Sequence, residues 1–332
     1  MPKISVIIPC FNAEKYIHKC MNSLIKQTFN DYEIICINDC STDNTLLILE
    51  EFKRKSNKIT ILNLKINKGS NNARKLGIKL ARGCYIAYID SDDYVASDYL
   101  ESLYNGTHDE TIDCVVSSGH YTKYKFIKFK SISTENVKLE EVHKIFFTQI
   151  GKFASYSWGK LYRKSCIENI PPINVFFQED VLFNIKAFLN IKNINVIDYV
   201  GYYYRVGGLS STNKNYICDI KIVYKQKKKL LALYNLNHLS DYPFYELINC
   251  FYEYIIRLII SKTPKKEILK IISHEKKDII YKDVYFLKNI NNCDVEYLAI
   301  TNLKDEKIYQ IAKSRITFRR RFGYLFRRLC GY

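Results

Sequence analysis

The N-terminal part of the chain alternates short apolar runs with amphipathic segments, and this alternation leaves few possible folds. The apolar runs have the length of buried strands and occupy residues 4–8, 33–37, 59–63 and 85–89, the first of them ended by Pro9. The segments between them place apolar residues at helical spacing and occupy residues 13–27, 45–55 and 71–82. Repeated strand–helix units predict an α/β fold with a mostly parallel sheet flanked by helices.

A polar loop follows each of these predicted strands. The loops contain PCFN at 9–12, NDCS at 38–41, NKGSNNAR at 67–74 and DSDD at 90–93. Ligands of open α/β sheets bind outside the carboxyl ends of the strands. We therefore expect the loops to converge on one rim, with Asp90 to Asp93 at the edge of a site and not in the core.

The acidic loop after the fourth strand has the chemistry of a cation site. Asp90, Asp92 and Asp93 supply three carboxylates within four residues, and hard cations such as Mg²⁺ and Mn²⁺ prefer oxygen ligands. A cation of this kind can neutralise a leaving diphosphate. The alternative is an acidic turn that caps the next helix, but Ser97 and Asp98 already offer that cap.

Other nucleotide and metal motifs are missing from the sequence. The first strand–helix turn lacks GxGxxG, and no GxxxxGK[ST] loop occurs, so a glycine-rich cradle after the first strand is excluded. The 11 cysteines are scattered without a CxxC pair, which argues against zinc and favours reduced thiols in a cytoplasm.

Linked motifs in a fixed order resemble the inverting family 2 glycosyltransferases with the Rossmann-like GT-A fold. Residues 4–45 are similar to the opening of that family, and residues 67–93 are similar to its next block and DXD motif. The similarity resumes at WGKLYR (158–163), QEDVLFN (178–184) and YYYRV (202–206). The resemblance implies a sugar-transfer domain at 1–215, with a nucleotide-sugar half at 1–100 and an acceptor half at 101–215.

The resemblance also implies roles for individual residues of the nucleotide-sugar half. Asp39 matches the acid that hydrogen-bonds uracil, Arg74 lies near the donor or its diphosphate, and Asp92 matches the metal ligand, which implies Mn²⁺ or Mg²⁺ as cofactor. The remaining donor-binding positions are Pro9, Phe11, Asn12, Asn67, Asp90, which matches the acid near the ribose, and Ser91.

A second acidic pair, Glu179 and Asp180, opens a predicted helix. From the residues alone, the helix dipole is sufficient reason for two acids at this position. The resemblance implies instead that Asp180 is the general base that takes a proton from the acceptor hydroxyl. Glu179 would then touch the acceptor or hold the loop.

Three further positions are candidates for contact with the acceptor or the donor sugar. Trp158 and Lys160 lie in a segment that the family uses for this purpose, although a lone tryptophan is more often part of the core. Arg205 follows a tyrosine-rich strand and either reaches the diphosphate or pairs with an acid.

The formal net charge of +17 indicates attraction to phosphate groups. Residues 216–332 are predicted to be helical, and the tail FRRRFGYLFRRLCGY (318–332) combines aromatic and arginine side chains. Such a helix binds anionic membranes or packs on the protein with a solvated basic side. The sequence shows no signal peptide, no apolar run long enough for a membrane span and no nucleic-acid-binding motif.

The resemblance therefore implies an inverting, metal-assisted transferase. It would move a hexose or N-acetylhexosamine from a UDP-sugar to a growing bacterial surface glycan such as lipooligosaccharide or capsule. The acceptor is a glycan or a lipid-linked glycan, and the expected location is the cytoplasm, peripheral on the inner face of the membrane. The alternatives are an inert binding protein of the same fold and a basic nucleic-acid-binding protein.

Overall fold

The computed structural model describes most of the N-terminal two thirds of the chain and parts of the remainder. The described residues are 1–122, 126–128, 156–171, 173, 175, 179–205, 216–233, 251, 254–280 and 304–314. The chain divides into two compact units, Met1–Thr212 and Asn213–Tyr332. The basic tail at 318–332 lies outside the described residues.

Seven strands of the described residues form the main sheet of the first unit. They are β1 (Ile4–Cys10), β2 (Tyr32–Asn38), β3 (Ile59–Asn63), β4 (Tyr85–Tyr88), β6 (Cys114–Ser117), β9 (Lys160–Arg163) and β10 (Ile194–Ile197), in the order β10-β6-β9-β4-β1-β2-β3. The pairs β1–β2, β1–β4, β2–β3 and β10–β6 are parallel. The predicted fold class, a mostly parallel sheet flanked by helices, is confirmed.

Two details of this sheet differ from the prediction. Strand β9, which follows Trp158, lies between β4 and β6 and runs antiparallel to both. Pro9 does not end β1, which continues to Cys10 and keeps its pairing with β2. Pairing with β4 has already ended at Ile7, so the N–H that proline lacks is not needed on that side.

A second, small sheet lies within the same unit. It is formed by β5 (Tyr94–Val95), β7 (Gly119–Thr122), β8 (Phe126–Lys128) and β11 (Tyr202–Tyr204), in the order β5-β11-β7-β8. The apolar run from Ile194 to Tyr204 is therefore divided between two sheets. This division brings β11 alongside β5, directly after the acidic loop.

The helices of the first unit cover the main sheet. They are α1 (Ile17–Ile25), α2 (Thr45–Lys55), α3 (Ser70–Leu80), α4 (Tyr99–Asn105), α5 (Lys164–Ile167) and α6 (Glu179–Asn190). α3 packs on β1 and β2, and α2 packs on β3. Apolar side chains of α1, including Ile17, Met21 and Leu24, are buried with those of β1 and β2 in one core, so the sheet is a rigid base for the loops at its carboxyl edge.

The second unit contains helices in the part of it that is described. They are α7 (Tyr216–Leu233), α8 (254–260), α9 (Lys265–Ile280) and α10 (305–314). Ile268, Ile272 and Ile308 are buried, and Lys265 forms an ion pair with Glu306 at 2.7 Å. No helix of the described residues is both long and apolar enough to cross a membrane.

Candidate active site

Hydrogen bonds join the loops after β2 and β3. The Asp39 carboxylate accepts hydrogen bonds from the backbone N–H groups of Lys68 at 2.7 Å and Gly69 at 2.8 Å. The Asn67 amide donates to the Asp39 carbonyl at 3.1 Å, and Gly69 takes a positive φ of 81° that glycine tolerates best. Asp39, predicted to bind uracil, is thus 2% exposed and holds the turn that begins α3.

The loop after β1 is fixed to the loop after β2 in a similar way. The backbone N–H of Asn12 donates to the Ser41 hydroxyl at 3.0 Å, and the Asn12 side-chain oxygen accepts from the N–H of Thr42 at 2.8 Å. Phe11, next to this connection, is 44% exposed, while Pro9 is half-buried on β1. Phe11 therefore offers an aromatic ring at the carboxyl edge of the sheet.

Arg74 of α3 binds the acidic loop and the start of α6 at once. Its guanidinium donates to Asp90 at 2.8 Å, to Asp180 at 2.7 Å and to Glu179 at 3.4 Å. The arginine side chain is 7% exposed. Burial alone would lower its pKa, but the three carboxylates outweigh burial and raise it. One buried cation therefore joins the two acidic pairs that the sequence predicts for separate roles.

Negative charge exceeds positive charge around Arg74. Burial, followed by the charges of Asp180 and Asp92, raises the pKa of Asp90 to about 6 against the opposing effect of Arg74. Burial and the charges of Asp180 and Asp90 raise the pKa of Glu179 to about 7. Burial is the largest cause of both shifts, and the carboxylates, which outnumber the single Arg74 cation, add to it. A further cation bound here would offset the repulsion between these carboxylates.

Asp93 differs from the other acids of its loop because its carboxylate is bound within the protein, to β11 and the residue after it. It is 1% exposed and accepts hydrogen bonds from the Tyr202 hydroxyl at 2.8 Å and the Arg205 backbone N–H at 2.7 Å. Burial and the charges of Asp90 and Asp92 raise its pKa to about 8. Asp93 thus fastens β11 to the acidic loop, and the expected set of three cation-binding carboxylates loses one member.

Arg205 lies against the acidic loop. Its Nε donates to the Asp92 carbonyl at 2.8 Å, and its guanidinium carbon lies 4.9 Å from the centre of the Tyr16 ring. The Arg205 guanidinium therefore lies beside Asp92, the predicted metal ligand, directly after the end of β11.

The cap expected for α4 from Ser97 or Asp98 is supplied by Gln27 instead, whose side-chain oxygen accepts from the Leu100 N–H at 2.9 Å. Asp98 occupies the N-cap position without a capping hydrogen bond, because its carboxylate accepts from the Tyr199 hydroxyl at 2.6 Å instead. The observation does not change the assignment of the acidic loop, since Asp93 is held by β11.

The donor set fits a hard divalent cation, although no complete ligand shell is preformed. Asp90 and Asp92 are half-buried carboxylates two residues apart, and Ser91 between them is buried. Within the described residues no group of three or more His, Cys, Asp or Glu side chains is arranged to hold a metal. Carboxylate oxygens, excess negative charge and partial exposure are the features that Mg²⁺ or Mn²⁺ with additional ligands requires.

Trp158 has no free ring face for a sugar in this structure. The indole is 4% exposed and stacks between Tyr156 and Tyr202, with ring centroids 4.3 Å apart on each side. Of the two roles that the sequence leaves open for Trp158, contact with a sugar and a place in the core, these contacts agree with the second. Through Tyr202, whose hydroxyl bonds Asp93, the stack supports the acidic loop.

Lys160 is likewise turned into the protein. Its ammonium donates to the carbonyls of Tyr156 at 2.6 Å and Trp158 at 3.4 Å, and the residue is 3% exposed. Burial lowers its pKa to about 8. Lys160 therefore fixes the backbone of residues 156–158.

Sequence reasoning missed several polar residues that complete the site. The Ser157 hydroxyl donates to Asp180 at 2.6 Å, and the Ser70 hydroxyl bonds Glu179. Tyr202 bonds Asp93 and also accepts from the Asp90 N–H at 3.2 Å. These contacts span 23 to 112 residues along the chain, and the only local signal was that each residue lies in or beside a motif.

A cleft borders Glu179 at the N-terminal end of α3. It is lined by Lys68, Gly69, Asn71, Asn72, Ile173, Val175 and Glu179. Amide and carboxylate groups together with aliphatic surface suit a polar ligand with apolar faces, as a sugar ring has. An α/β sheet whose acidic loop and second acid pair are held by one arginine agrees with the GT-A glycosyltransferase fold that the sequence predicts.

Comparison with known proteins agrees with this class. The sequence model of the family described as Glycosyl transferase family 2 matches residues 5–170. A cholesterol galactosyltransferase from Borreliella burgdorferi is 30% identical over 328 residues, which cover 94% of this chain and 87% of that protein. The chain belongs to glycosyl transferase family 2, and the predicted enzyme class, a glycosyltransferase, is confirmed.

Solved structures show the same fold at lower identity. The crystal structure of S. aureus TarS 1–349 in complex with UDP-GlcNAc has a TM-score of 0.66 and 22% identity, and the match covers 95% of this chain and 91% of that one. A mannosyltransferase from Pyrobaculum calidifontis in complex with GDP-Man and Mn²⁺ has a TM-score of 0.50 and 13% identity, with coverage of 92% and 87%.

Proposed function

We propose that the protein catalyses inverting transfer of a hexose or N-acetylhexosamine from a UDP-sugar to a hydroxyl of a bacterial surface glycan. The observation that carries the proposal is the junction at Arg74, which bonds Asp90 of the donor rim and Asp180 of the second acid pair. The two halves of a transfer site, one for the leaving diphosphate and one for proton removal, meet there.

The donor half consists of the loops after β1, β2 and β3 together with the acidic loop. Phe11 and Asn12 would lie against the nucleotide, and the turn of Asn67 and Gly69 that Asp39 organises would approach the uracil. The fold neighbour with UDP-GlcNAc supports a UDP-sugar as donor. Asp39 would then act on uracil through the turn at Lys68 and Gly69 that its carboxylate holds.

Asp92, with Asp90 beside it, would hold a divalent cation, Mn²⁺ or Mg²⁺. When bound, such an ion supplies positive charge that stabilises the leaving UDP diphosphate. The two half-buried carboxylates and the Mn²⁺ in the mannosyltransferase neighbour support this assignment. Arg205, beside Asp92, would contribute charge-assisted hydrogen bonds to the diphosphate.

Asp180 would act as the general base. As the acceptor oxygen attacks the anomeric carbon, the bond to the UDP oxygen breaks, and the hydroxyl proton passes to the Asp180 carboxylate. Attack opposite the leaving group converts an α-linked donor into a β-linked product. Glu179 lines the neighbouring cleft, where it would touch the acceptor.

A lipid hydroxyl is a second candidate acceptor. The relative whose match covers 94% of this chain is a cholesterol galactosyltransferase. Because the match is this long, the similarity extends over both units of the chain. A lipid or lipid-linked acceptor also agrees with the proposal that the tail, 318–332, binds an anionic membrane on its cytoplasmic face.

Release of UDP tests the proposal. Purified protein is incubated with UDP-glucose, UDP-galactose, UDP-GlcNAc and UDP-GalNAc, each with Mn²⁺ or with EDTA. Turnover of one donor by wild-type protein, lost with EDTA and in Asp92→Asn and Asp180→Asn, is the expected result. Equal turnover with EDTA would refute the role of the metal, and an active Asp180→Asn would refute the base.

The remaining alternative, a basic nucleic-acid-binding protein, makes a different prediction. Its binding of single-stranded RNA would survive EDTA and fall steeply with salt, whereas UDP binding by the transferase requires metal and Asp39. Calorimetric titration with UDP and with RNA, each with Mn²⁺ or EDTA, separates the two.

A further inference from the structure

We infer that Ser157 is a positioning residue that orients the Asp180 carboxylate, so that Oδ2 of Asp180 is the oxygen that receives the acceptor proton. The inference rests on the proposed role of Asp180 as base. Ser157 lies outside the motif residues assigned from the sequence, immediately before Trp158.

The two hydrogen bonds of Asp180 converge on one oxygen. Oδ1 accepts from the Ser157 hydroxyl at 2.6 Å and from the Arg74 guanidinium at 2.7 Å. Among the described residues no hydrogen bond is donated to Oδ2, and the carboxylate side chain remains 22% exposed. A carboxylate held at one oxygen by two donors from different directions has a fixed plane, which presents its other oxygen for proton transfer.

Ser157 is itself rigidly held. It is 1% exposed, and the carbonyls on both sides of it, those of Tyr156 and Trp158, accept hydrogen bonds from the buried Lys160 ammonium. Gly159 accepts from the Ser117 N–H of β6 at 2.9 Å. The hydroxyl therefore acts from the edge of the main sheet and not from a mobile loop.

The same segment is attached to the helix that carries Asp180. Asn184 lies one helical turn after Asp180 on α6, and its amide donates to the Tyr156 carbonyl at 2.8 Å. Its side-chain oxygen accepts from the buried Tyr162 hydroxyl of β9. Two contacts one turn apart, Ser157 with Asp180 and Tyr156 with Asn184, fix the rotation of α6 relative to the 156–158 segment.

The two side chains that donate to Oδ1 of Asp180 differ in the other contacts that they make. Arg74 is shared with Asp90 and Glu179, so its position depends on the charge state of the donor rim. The Ser157 hydroxyl makes no other hydrogen bond in the described part of the chain, so its contact with Asp180 is independent of the donor half. Ser157 would therefore keep the base oriented while the diphosphate and its cation bind and leave.

The test compares Ser157→Ala, Ser157→Thr and the control Ser5→Ala, with UDP release measured for the UDP-sugar that wild-type protein turns over. Ser5 also donates from a buried hydroxyl to a carboxylate, that of Glu33 at 2.8 Å, but near the start of β1 (Ile4–Cys10), at the opposite end of the strand from the loop that carries Phe11 and Asn12. We expect kcat of Ser157→Ala to fall on the order of tenfold, the usual effect of losing one hydrogen bond to a charged group. Donor KM and the Kd of UDP with Mn²⁺ should not change.

The control and the conservative variant separate positioning from stability. Ser157→Thr keeps the hydroxyl and should recover most of kcat, whereas Ser5→Ala should lower the melting temperature and leave kcat unchanged. Wild-type kcat in Ser157→Ala would overturn the inference, and so would a parallel loss of kcat and UDP affinity. If Asp180→Asn keeps full activity, the proposed base is wrong; if Asp180→Asn is inactive and Ser157→Ala is not impaired, only the positioning role is wrong.

A structural measurement needs no turnover. Crystal structures of wild-type protein and Ser157→Ala should show one orientation of the Asp180 carboxylate in the first and more than one, or a rotated one, in the second. An identical orientation in both would mean that Arg74 alone positions the base and would overturn the inference.

Discussion

Replacement of Arg74 by methionine should destabilise the first unit strongly and in a pH-dependent way. Methionine keeps most of the aliphatic packing but removes the cation that bonds Asp90, Glu179 and Asp180. The arginine side chain is 7% exposed, so water cannot replace it freely. Removing one partner of a buried ion pair costs about 3–5 kcal/mol, and we expect a loss of this size in the free energy of unfolding at pH 8.5.

The loss should become smaller at lower pH. The pKa of Glu179 is about 7 in the folded protein against an ordinary value of 4.5, so the folded state binds a proton that the unfolded chain does not bind between these values. Stability is therefore gained as pH falls through 7. Without Arg74 the carboxylates repel one another more strongly, and the gain between pH 8.5 and pH 5.5 should be larger in Arg74→Met than in wild-type protein.

Urea unfolding without metal or nucleotide measures this effect. The fluorescence of the single tryptophan, Trp158, reports on the first unit, where it is buried between two tyrosines. Arg82→Met is the control, because the Arg82 side chain is 66% exposed in its ion pair with the buried Glu33. Glu33 keeps the hydrogen bonds from the Ser5 hydroxyl and the Arg82 backbone N–H, so this substitution should cost less than Arg74→Met. Equal stabilities of Arg74→Met and Arg82→Met, or a loss that does not shrink at pH 5.5, would refute the reasoning.

Three further substitutions test the parts of the account that surround this junction. Asp39→Asn leaves one of two backbone N–H groups without an acceptor; it should cost about 1–3 kcal/mol and abolish UDP binding in calorimetry, and unchanged UDP affinity would contradict this role. Trp158→Ala removes the centre of the aromatic stack. It should lower the free energy of unfolding by about 3–5 kcal/mol, measured by unfolding followed by circular dichroism. A loss no larger than that caused by a substitution at an exposed site would mean that the stack is not part of the core. Gly83→Ala would place a Cβ 2.7 Å from the Ser5 nitrogen and 2.8 Å from the Ile4 carbonyl carbon; because backbone atoms cannot move aside, the melting temperature should fall by the equivalent of about 1–3 kcal/mol, and an unaltered value would show that β1 can shift.

The order of elements in the N-terminal half could be predicted because their signals are local. Buried strands such as β2 are short apolar runs, and helices such as α2 show helical spacing over their whole length. The loops at the carboxyl ends of parallel strands then follow from topology. Pro9 gave a wrong strand end because the missing N–H matters only where a neighbouring strand is paired, and pairing with β4 had already ended.

Contacts between distant segments could not be predicted from the sequence. Whether Trp158 faces a sugar or two tyrosines depends on β11, which pairs with β5 and β7 of a different part of the chain. Likewise, the family motif supplies Asp39 and Arg74 as residues, but only the fold shows that Asp39 binds the turn before α3 and that Arg74 joins Asp90 to Asp180. These interactions are set by the packing of α3 and α6, which leaves no periodic pattern in the sequence.

The configuration of the sugar that is first released tests the central claim, inverting transfer with Asp180 as base, most directly. Proton NMR during early hydrolysis of the UDP-sugar that the protein turns over, with Mn²⁺ present, distinguishes the two anomers before they equilibrate. We expect the β anomer to appear first with wild-type protein, and neither anomer to form at a measurable rate with Asp180→Asn. Initial release of the α anomer, or unchanged formation of the β anomer by Asp180→Asn, would contradict it.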